Sequence, residues 1–108
     1  IKVVCDNKMN AMYMSRSPIP SNDHEEFKTD FYKQVCIMPF RWHFMNHFNF
    51  KMKPTNLELQ ESIEMLRIIQ NGYKVKMVLT DYVNKSVDNE EDRIVAEKIL
   101  RKDDIKGY

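Results

Sequence analysis

Residues 1–20, IKVVCDNKMNAMYMSRSPIP, contain the pattern that decides the local fold of this 108-residue chain. Lys2–Asp6 predicts a short strand, because its centre is apolar and β-branched. The polar residues Asn7–Asn10 predict a turn, and Ala11–Ser15 predicts the returning strand of a hairpin. The two prolines of Ser17–Pro20 remove backbone donors and fix φ, so the hairpin is expected to end before them.

The middle of the chain predicts a further strand and two helices. Phe31–Pro39 is the best strand candidate, and its apolar centre suits a strand that is buried on both faces. Arg41–Phe48 predicts a short helix rich in aromatic residues. Apolar residues recur at helical spacing through Leu57–Asn71, and either Thr55 or Asn56 can cap the start of that helix.

The last third of the chain predicts one strand and one helix. Gly72 is placed to stop the preceding helix, and Lys74–Leu79 alternates as a strand does. Asn89 can cap a final helix that runs to about Arg101, with acidic residues in its first turn, where the helix dipole favours negative charge. The resulting order, β-β-β-α-α-β-α, predicts an α/β layer that needs another sheet to complete it.

The composition restricts the classes of function. With 17 basic and 16 acidic residues the formal charge is +1, so charge gives no reason to expect nucleic acid or an anionic membrane as a partner. No apolar run approaches the roughly 20 residues that span a bilayer. The two glycines, Gly72 and Gly107, stand apart, whereas backbone cradles for a triphosphate usually need several glycines. The chain is therefore expected not to supply a phosphate loop of its own.

The two cysteines, Cys5 and Cys36, lie in separate β-type runs and do not form a C-x-x-C pair. We expect two free, mostly buried thiols in a reducing compartment, with the cytoplasm as the default. A disulfide or a reactive thiol is the alternative. The chain also begins inside an apolar β-type run without an initiator methionine, which suggests a fragment.

Several side chains have the chemistry of ligand or metal sites. Arg16 ends a predicted strand, where α/β proteins place ligands and where an arginine can hold a carboxylate bidentately; a surface arginine is the alternative. Asp88 lies at a loop-to-helix junction, either as a second helix cap or as a ligand for a hard divalent cation. His43 and His47 have the i, i+4 spacing of metal ligands, and two partly exposed histidines are the simpler interpretation.

Three glutamates lie at neighbouring positions of the predicted long helix. Glu58, Glu61 and Glu64 form either a solvated face, with Glu64 reaching Arg67 one turn further on, or a set of acceptors for sugar hydroxyls. The residue chemistry by itself favours the solvated face.

Four stretches resemble, in order, the 3-deoxy-manno-octulosonate (Kdo) cytidylyltransferase family. IKVVCDNKMNAMYMSRSPIP resembles the family's V-K-V-V-x-D, a turn, and A-L-Y-F-S-R-x-x-I-P, and FYKQVCIMPFR looks like its strand R-H-x-G-I-Y-x-Y-R. LELQESIEMLRIIQNGYKVKM is similar to L-E-x-x-E-x-L-E-Q-L-R followed by G-x-K-I, and SVDNEEDRIVAEKIL resembles G-V-D-T-P-E-D-L-x-x-V. The four matches are collinear over roughly Ile1 to Leu100.

The resemblance implies a fold class and a domain assignment. Residues 1–108 would be the C-terminal sugar-binding and dimerisation portion of a Rossmann-like α/β nucleotidyltransferase, with a mixed sheet, flanking helices and a dimerisation hairpin. The N-terminal CTP-binding half is absent from this sequence, so the fragment alone is expected to be inactive.

The resemblance also implies an activity and its partners. CTP and an ulosonic acid such as Kdo would give the CMP-sugar and pyrophosphate with Mg²⁺, in the cytoplasm, as a step of lipopolysaccharide biosynthesis. A homodimer is expected, formed partly by the hairpin and Phe31–Pro39 with apolar surface from Met12, Met14, Ile37 and Met38. Nucleic acid and membrane are not expected partners. A non-catalytic dimerisation or scaffold module derived from that fold is the alternative.

Carried over position by position, the resemblance assigns no catalytic residue but several binding residues. Asp88 would bind the metal, and Arg16 would hold the sugar acid. The other substrate-binding positions are Gln34, Met38, Glu61 and Glu64. Gln34 replaces the family's histidine and Met38 its first tyrosine, so which ulosonic acid is the substrate stays open.

Overall fold

A computed structural model describes residues 1–23, 26, 29–81 and 86–102. Its elements, in chain order, are β1 (Lys2–Cys5), β2 (Ala11–Ser15), β3 (Tyr32–Lys33), α1 (Trp42–Phe50), α2 (Asn56–Glu61), α3 (Met65–Gln70) and α4 (Glu90–Lys102). The three strands form one sheet in the order β2-β1-β3, with both pairs antiparallel. The chain is therefore a small α/β structure, and within the described ranges every strand pair is antiparallel.

The predicted hairpin is confirmed, with β1 one residue shorter than expected. Strands β1 and β2 pair from Lys2↔Ser15 to Cys5↔Ala11, with a shift of register near the turn. The Asp6 carboxylate closes the turn, because its Oδ1 accepts the Asn10 N–H at 2.9 Å and the Lys8 N–H at 2.8 Å. The Asn10 side chain also donates, from Nδ2 to Asp6 Oδ2 at 3.0 Å. This side-chain bond is the largest cause of the lowered pKa of Asp6, followed by the bond from the Asn10 N–H.

The core lies between the sheet and the helix pair α2–α3. Met14, Val3 and Leu66 are the largest fully buried side chains, so residues of β1, β2 and α3 belong to one core. The other buried apolar residues are Ala11, Phe48, Met52, Ile63, Met65 and Ile68. In the part of the chain that the structure describes, no helix is long and apolar enough to cross a membrane.

The prediction of a doubly buried strand over Phe31–Pro39 is wrong. Only Tyr32–Lys33 forms a strand, and it pairs on one side, with β1. Ile37 is 80% exposed and Met38 42% exposed, and Cys36 is exposed rather than buried. The physical reason is position: β3 lies at the edge of the described sheet, so the apolar run beyond it has no neighbouring strand to cover it.

The predicted single helix over Leu57–Asn71 is also wrong, because two shorter helices occupy this segment. Ser62 has φ 54° and ψ 50°, a left-handed conformation that ends α2, and α3 begins at Met65. The predicted start is confirmed at Thr55, whose N–H donates to Glu58 Oε2 at 3.1 Å. A right-handed helix cannot continue through a left-handed residue. The apolar spacing runs on across Ser62, which is why the sequence pattern alone predicted one helix.

The predicted stop at Gly72 is confirmed. The Gly72 N–H donates to the Ile69 carbonyl at 3.0 Å, and the Tyr73 N–H donates to the Ile68 carbonyl at 3.1 Å. This pair of bonds is a Schellman ending, which places a left-handed residue at the position of Gly72. Its φ of +80° is one that glycine adopts without a Cβ clash.

Lys74–Leu79 was predicted as a strand and is only a single bridge. Lys76 pairs with Asn10, and the flanking bonds run from the Ala11 N–H to the Val75 carbonyl and from the Met77 N–H to the Met9 carbonyl, each at 2.8 Å. Met9 lies in the turn of the hairpin with φ 61°, so the partner backbone bends away and the ladder cannot lengthen.

The last predicted helix is confirmed as α4. Asn89 Oδ1 accepts the Asp92 N–H at 2.8 Å, which is the bond of an N-cap. Glu90, Glu91 and Asp92 lie in the first turn, and Arg101 and Lys102 lie in the last. Both ends therefore match the helix dipole.

Candidate functional site

Arg16 follows the last residue of β2 and is fixed against the end of α2. Its Nε donates to the Glu61 carbonyl at 2.6 Å and its Nη2 donates to the Ser62 carbonyl at 2.9 Å. The final carbonyls of a helix have no partner within the helix, so the arginine satisfies groups that α2 leaves open. The guanidinium has five N–H donors, and the described residues use two of them. The side chain remains exposed and can still bind an anion.

Glu61 makes the reciprocal contact with the hairpin. Its Oε1 accepts Tyr13 OH at 3.0 Å and Ser15 Oγ at 2.7 Å, and its Oε2 accepts the Arg16 N–H at 2.9 Å. These bonds, first of all the one from the Arg16 N–H, lower the pKa of Glu61. The carboxylate is therefore held as an anion by Tyr13 and Ser15 of β2 and by the backbone of Arg16, the residue directly after that strand.

Glu58 does not belong to a solvated face. It is buried and accepts Arg67 Nε at 2.7 Å on Oε2, while Arg67 Nη2 pairs with Oε1. The predicted partner of Arg67 was Glu64, and the structure corrects this to Glu58. The Arg67 guanidinium also lies 4.4 Å from the ring centroid of Phe48. The bonds from Arg67 lower the pKa of Glu58, and the pair is part of the core.

A small, open pocket borders the break between α2 and α3. Its volume is about 150 Å³, and it is lined by Glu58, Leu59, Ser62, Ile63 and Glu64. Ser62 connects the pocket to Arg16, because its carbonyl accepts the Arg16 Nη2 N–H. The exposed Glu64 and the Arg16 guanidinium therefore border the same left-handed residue.

Gln34 lies at the same end of the sheet as Arg16. The Gln34 N–H donates to the Ile1 carbonyl at 3.0 Å, one position beyond Lys2. Lys2 in turn pairs across β1–β2 with Ser15, the residue before Arg16. The sheet thus brings these two predicted site residues together across its central strand.

The Gln34 side chain is buried but not fully bonded. The residue is 8% exposed, and its Nε2 donates to the Met38 sulfur at 3.4 Å. Its Oε1 is a buried oxygen for which the described residues supply no donor. A buried acceptor without a partner costs about 1–3 kcal/mol, which makes this oxygen a candidate acceptor for a donor from outside the described residues.

No described hydrogen bond joins Asp88 to the Arg16 cluster, which consists of Tyr13, Ser15, Arg16, Glu61 and Ser62. Its N–H donates to Asp92 Oδ2 at 3.3 Å, and Asn89, not Asp88, caps α4. No hydrogen bond or ion pair to the Asp88 carboxylate appears within the described ranges, and the residue is exposed. Asn89 therefore acts as the helix cap, and the Asp88 carboxylate is not needed for capping.

The histidine pair has a different environment. His47 Nε2 and Tyr73 OH are 3.3 Å apart, and the His47 ring also packs against Phe44 and Tyr73. His43 is exposed. Across the residues that the structure covers, no three histidine, cysteine, aspartate or glutamate side chains are grouped as metal ligands. The structure therefore gives no support to a metal site at this pair.

Sequence reasoning missed three members of the Arg16 cluster. Tyr13 and Ser15 both donate to Glu61, and their i, i+2 spacing on a strand indicates one common face. That spacing could have identified them as a pair. Ser62, which ends α2, had no such signal, because a left-handed serine is uncommon and no glycine marks the position.

No protein-family model matches the chain. Curated relatives do match it, and each of the following is named 3-deoxy-manno-octulosonate cytidylyltransferase. The relative from Chlorobium limicola is 33% identical over 94% of this chain and 41% of its own length. The relative from Geotalea uraniireducens is 40% identical over 94% and 43%, and that from Thermodesulfovibrio yellowstonii is 41% identical over 93% and 41%.

The chain thus spans about two fifths of the length of the curated relatives that it matches. The agreement runs along nearly the whole chain and recurs in relatives from three genera. The resemblance predicted from the four motifs is confirmed: by sequence this chain is similar to part of the 3-deoxy-manno-octulosonate cytidylyltransferases.

Proposed function

We propose that this chain is the sugar-binding portion of a nucleotidyltransferase that joins CTP and an ulosonic acid such as Kdo. The observation that supports this most is the similarity over 94% of the chain to relatives named for that activity. The site geometry fits the proposal, because an exposed arginine, a buried oxygen for which the described residues supply no donor, and an exposed glutamate lie at one end of the hairpin and helix pair.

In the proposed reaction a hydroxyl oxygen of the sugar acid attacks the α-phosphorus of CTP, the bond from that phosphorus to pyrophosphate breaks, and the hydroxyl proton passes to water. The remaining N–H donors of Arg16 bind the sugar carboxylate, since a guanidinium matches a carboxylate bidentately. Gln34 Oε1 accepts a sugar hydroxyl, while the Nε2 of the same amide donates to the Met38 sulfur. Glu64 accepts a second hydroxyl at the edge of the pocket. These residues bind and orient the acid, and CTP is bound by residues of a Rossmann-like fold outside this sequence.

Mg²⁺ is the cofactor of this proposal, and Asp88 fits part of its site. Magnesium prefers oxygen ligands and keeps several waters, so one or two carboxylates suffice. The Asp88 carboxylate is exposed and is not occupied by capping α4. When bound, the ion neutralises charge on the phosphates. Water, the substrate phosphates and residues beyond those described would supply its other ligands.

The test is pyrophosphate release from CTP, Mg²⁺ and Kdo by a protein that joins these residues to a CTP-binding half. We expect turnover by that protein and none by the 108-residue chain alone, because two separate glycines cannot form a triphosphate cradle. Turnover by the chain alone would place the nucleotide site within these residues. An inactive longer protein that still folds would favour the alternative, a non-catalytic dimerisation or scaffold module.

A homodimer is the proposed assembly, and the structure corrects one of its predicted contacts. Met14 is fully buried and cannot reach a partner, whereas Met12 is 59% exposed and Ile37 80% exposed. Exposed apolar side chains on the hairpin and beyond β3 would be buried by contact with a second copy of the chain, which favours a dimer. We expect a dimer at tens of micromolar in sedimentation velocity, weakened by Ile37→Glu. A monomer at that concentration would remove the dimer from the proposal.

A further inference from the structure

Glu61 was expected from the resemblance to bind sugar hydroxyls, but its hydrogen bonds indicate another role. We infer that Glu61 is a positioning residue, which orients Arg16 toward the substrate carboxylate and does not itself touch the substrate. This inference rests on the proposed function of Arg16. Its basis is the pair of reciprocal contacts between the end of α2 and the end of β2.

The Glu61 carboxylate is already occupied by the protein. A carboxylate offers about four lone-pair positions, and Tyr13 OH, Ser15 Oγ and the Arg16 N–H fill three of them. Tyr13 and Ser15 belong to β2, and Arg16 follows it directly, so the backbone that carries these donors is held by the sheet. Little acceptor capacity is left for a sugar hydroxyl, in contrast to the exposed Glu64.

The same residue fixes the arginine at two points. The Glu61 side chain holds the backbone N–H of Arg16, and the Glu61 carbonyl accepts Arg16 Nε at 2.6 Å. The Ser62 carbonyl accepts Nη2 at 2.9 Å. Nε and Nη2 form one edge of the planar guanidinium, so both N–H groups of Nη1 and the second N–H of Nη2 are not used by the described residues. A carboxylate that binds the edge formed by Nη1 and Nη2 meets two parallel N–H donors, which is the bidentate arrangement.

The orientation depends on the charge and shape of Glu61. Glutamine at this position keeps an oxygen for Tyr13 and Ser15 but turns its NH₂ group toward the Arg16 N–H, so two donors face each other. The strand end then separates from α2, and Arg16 loses its fixed edge. Tyr13→Phe removes one donor without adding another, so it weakens the same contact with less disturbance of the fold.

The experiment compares Glu61→Gln, Tyr13→Phe and the control Gln60→Ala in the longer protein. Gln60 is an exposed neighbour in α2, and its variant should behave as wild type. For Glu61→Gln we expect KM for the ulosonic acid to rise roughly 10-fold, within the range of coupled neighbours, with kcat little changed. Tyr13→Phe should shift KM in the same direction by less.

The Arg16→Ala background separates positioning from direct contact. There Glu61→Gln should have no further effect on KM, because no guanidinium remains to be oriented. An equal 10-fold rise in both backgrounds would show that Glu61 contacts the substrate itself and would overturn the inference.

A ligand-free measurement separates this inference from the proposed function. Hydrogen exchange of the Arg16 Nε–H, followed by ¹⁵N NMR, should be slow in wild type and fast in Glu61→Gln. If Arg16→Ala leaves sugar affinity unchanged, the proposed role of Arg16 fails while the exchange result still supports the positioning. Fast exchange in wild type would overturn the positioning whatever the activity.

Discussion

Replacing Arg67 by methionine is expected to lower the free energy of unfolding by about 3–5 kcal/mol, the usual effect of removing one partner of a buried ion pair. The Glu58 and Arg67 side chains are 8% and 14% exposed, so Glu58 would stay buried without its cation. The variant also loses the contact of the guanidinium with Phe48. Urea unfolding at neutral pH measures the change.

Arg93→Met is the matched control for this prediction. Arg93 pairs with Glu90 and Glu97 on α4, but its side chain is 50% exposed, so water replaces the lost partner. Its loss should change stability little, because exposed ion pairs contribute little. Equal effects of Arg67→Met and Arg93→Met would show that burial does not strengthen the first pair.

The acid dependence gives a second readout of the Glu58–Arg67 pair. The pKa of Glu58 is lowered in the folded state, first of all by the bonds from Arg67. A lowered pKa stabilises the fold fully above the ordinary value of about 4.3 for glutamate, and this stabilisation is lost as the pH falls through the folded value. The stability difference between wild type and Arg67→Met should therefore shrink below about pH 4.

Asp88→Asn is expected to reduce kcat/KM of the longer enzyme by at least about 10–100-fold, the range measured for residues one shell further from a metal. The substitution keeps the shape and removes the charge that the proposed Mg²⁺ site needs. Stability should hardly change, since Asn89, not Asp88, caps α4. Pyrophosphate release measured over a range of Mg²⁺ concentrations should show a higher requirement for the ion.

Glu91→Gln is the control for the Asp88 prediction. It removes one exposed charge from the first turn of the same helix, so it tests whether any nearby negative charge matters. Activity and Mg²⁺ dependence should match wild type. If Asp88→Asn behaves in the same way, Asp88 is an ordinary surface residue at the start of α4.

Local sequence signals predicted the hairpin, the start at Thr55, the stop at Gly72 and the final helix. Each of these depends on residues close in the chain, such as the Asp6 carboxylate and the backbone of Lys8 and Asn10. Local polar groups and fixed φ preferences act over a few residues, so they can be recognised without knowledge of the fold.

The wrong strand predictions concern apolar segments whose pairing partner could not be identified from the sequence. Phe31–Pro39 and Lys74–Leu79 have strand composition, but a strand needs a partner, and only short parts of each find one. An apolar pattern indicates that a segment is more stable when buried, but it does not indicate whether a neighbouring strand is present to bury it. The same limit applies to Met14, which was predicted for an interface and lies in the core.

The sequence by itself determined the family resemblance, the hairpin and the identity of Arg16, Gln34 and Glu64 as candidate residues. Tertiary structure decided how the glutamates of the helical segment divide. Glu58 is buried with Arg67, and Glu61 binds the hairpin, although all three have similar local surroundings in the sequence. The physical reason lies at Ser62, which adopts a left-handed conformation and ends α2. Its carbonyl accepts a hydrogen bond from Arg16, more than 40 positions away in the sequence, and this contact aligns the end of α2 with the end of β2.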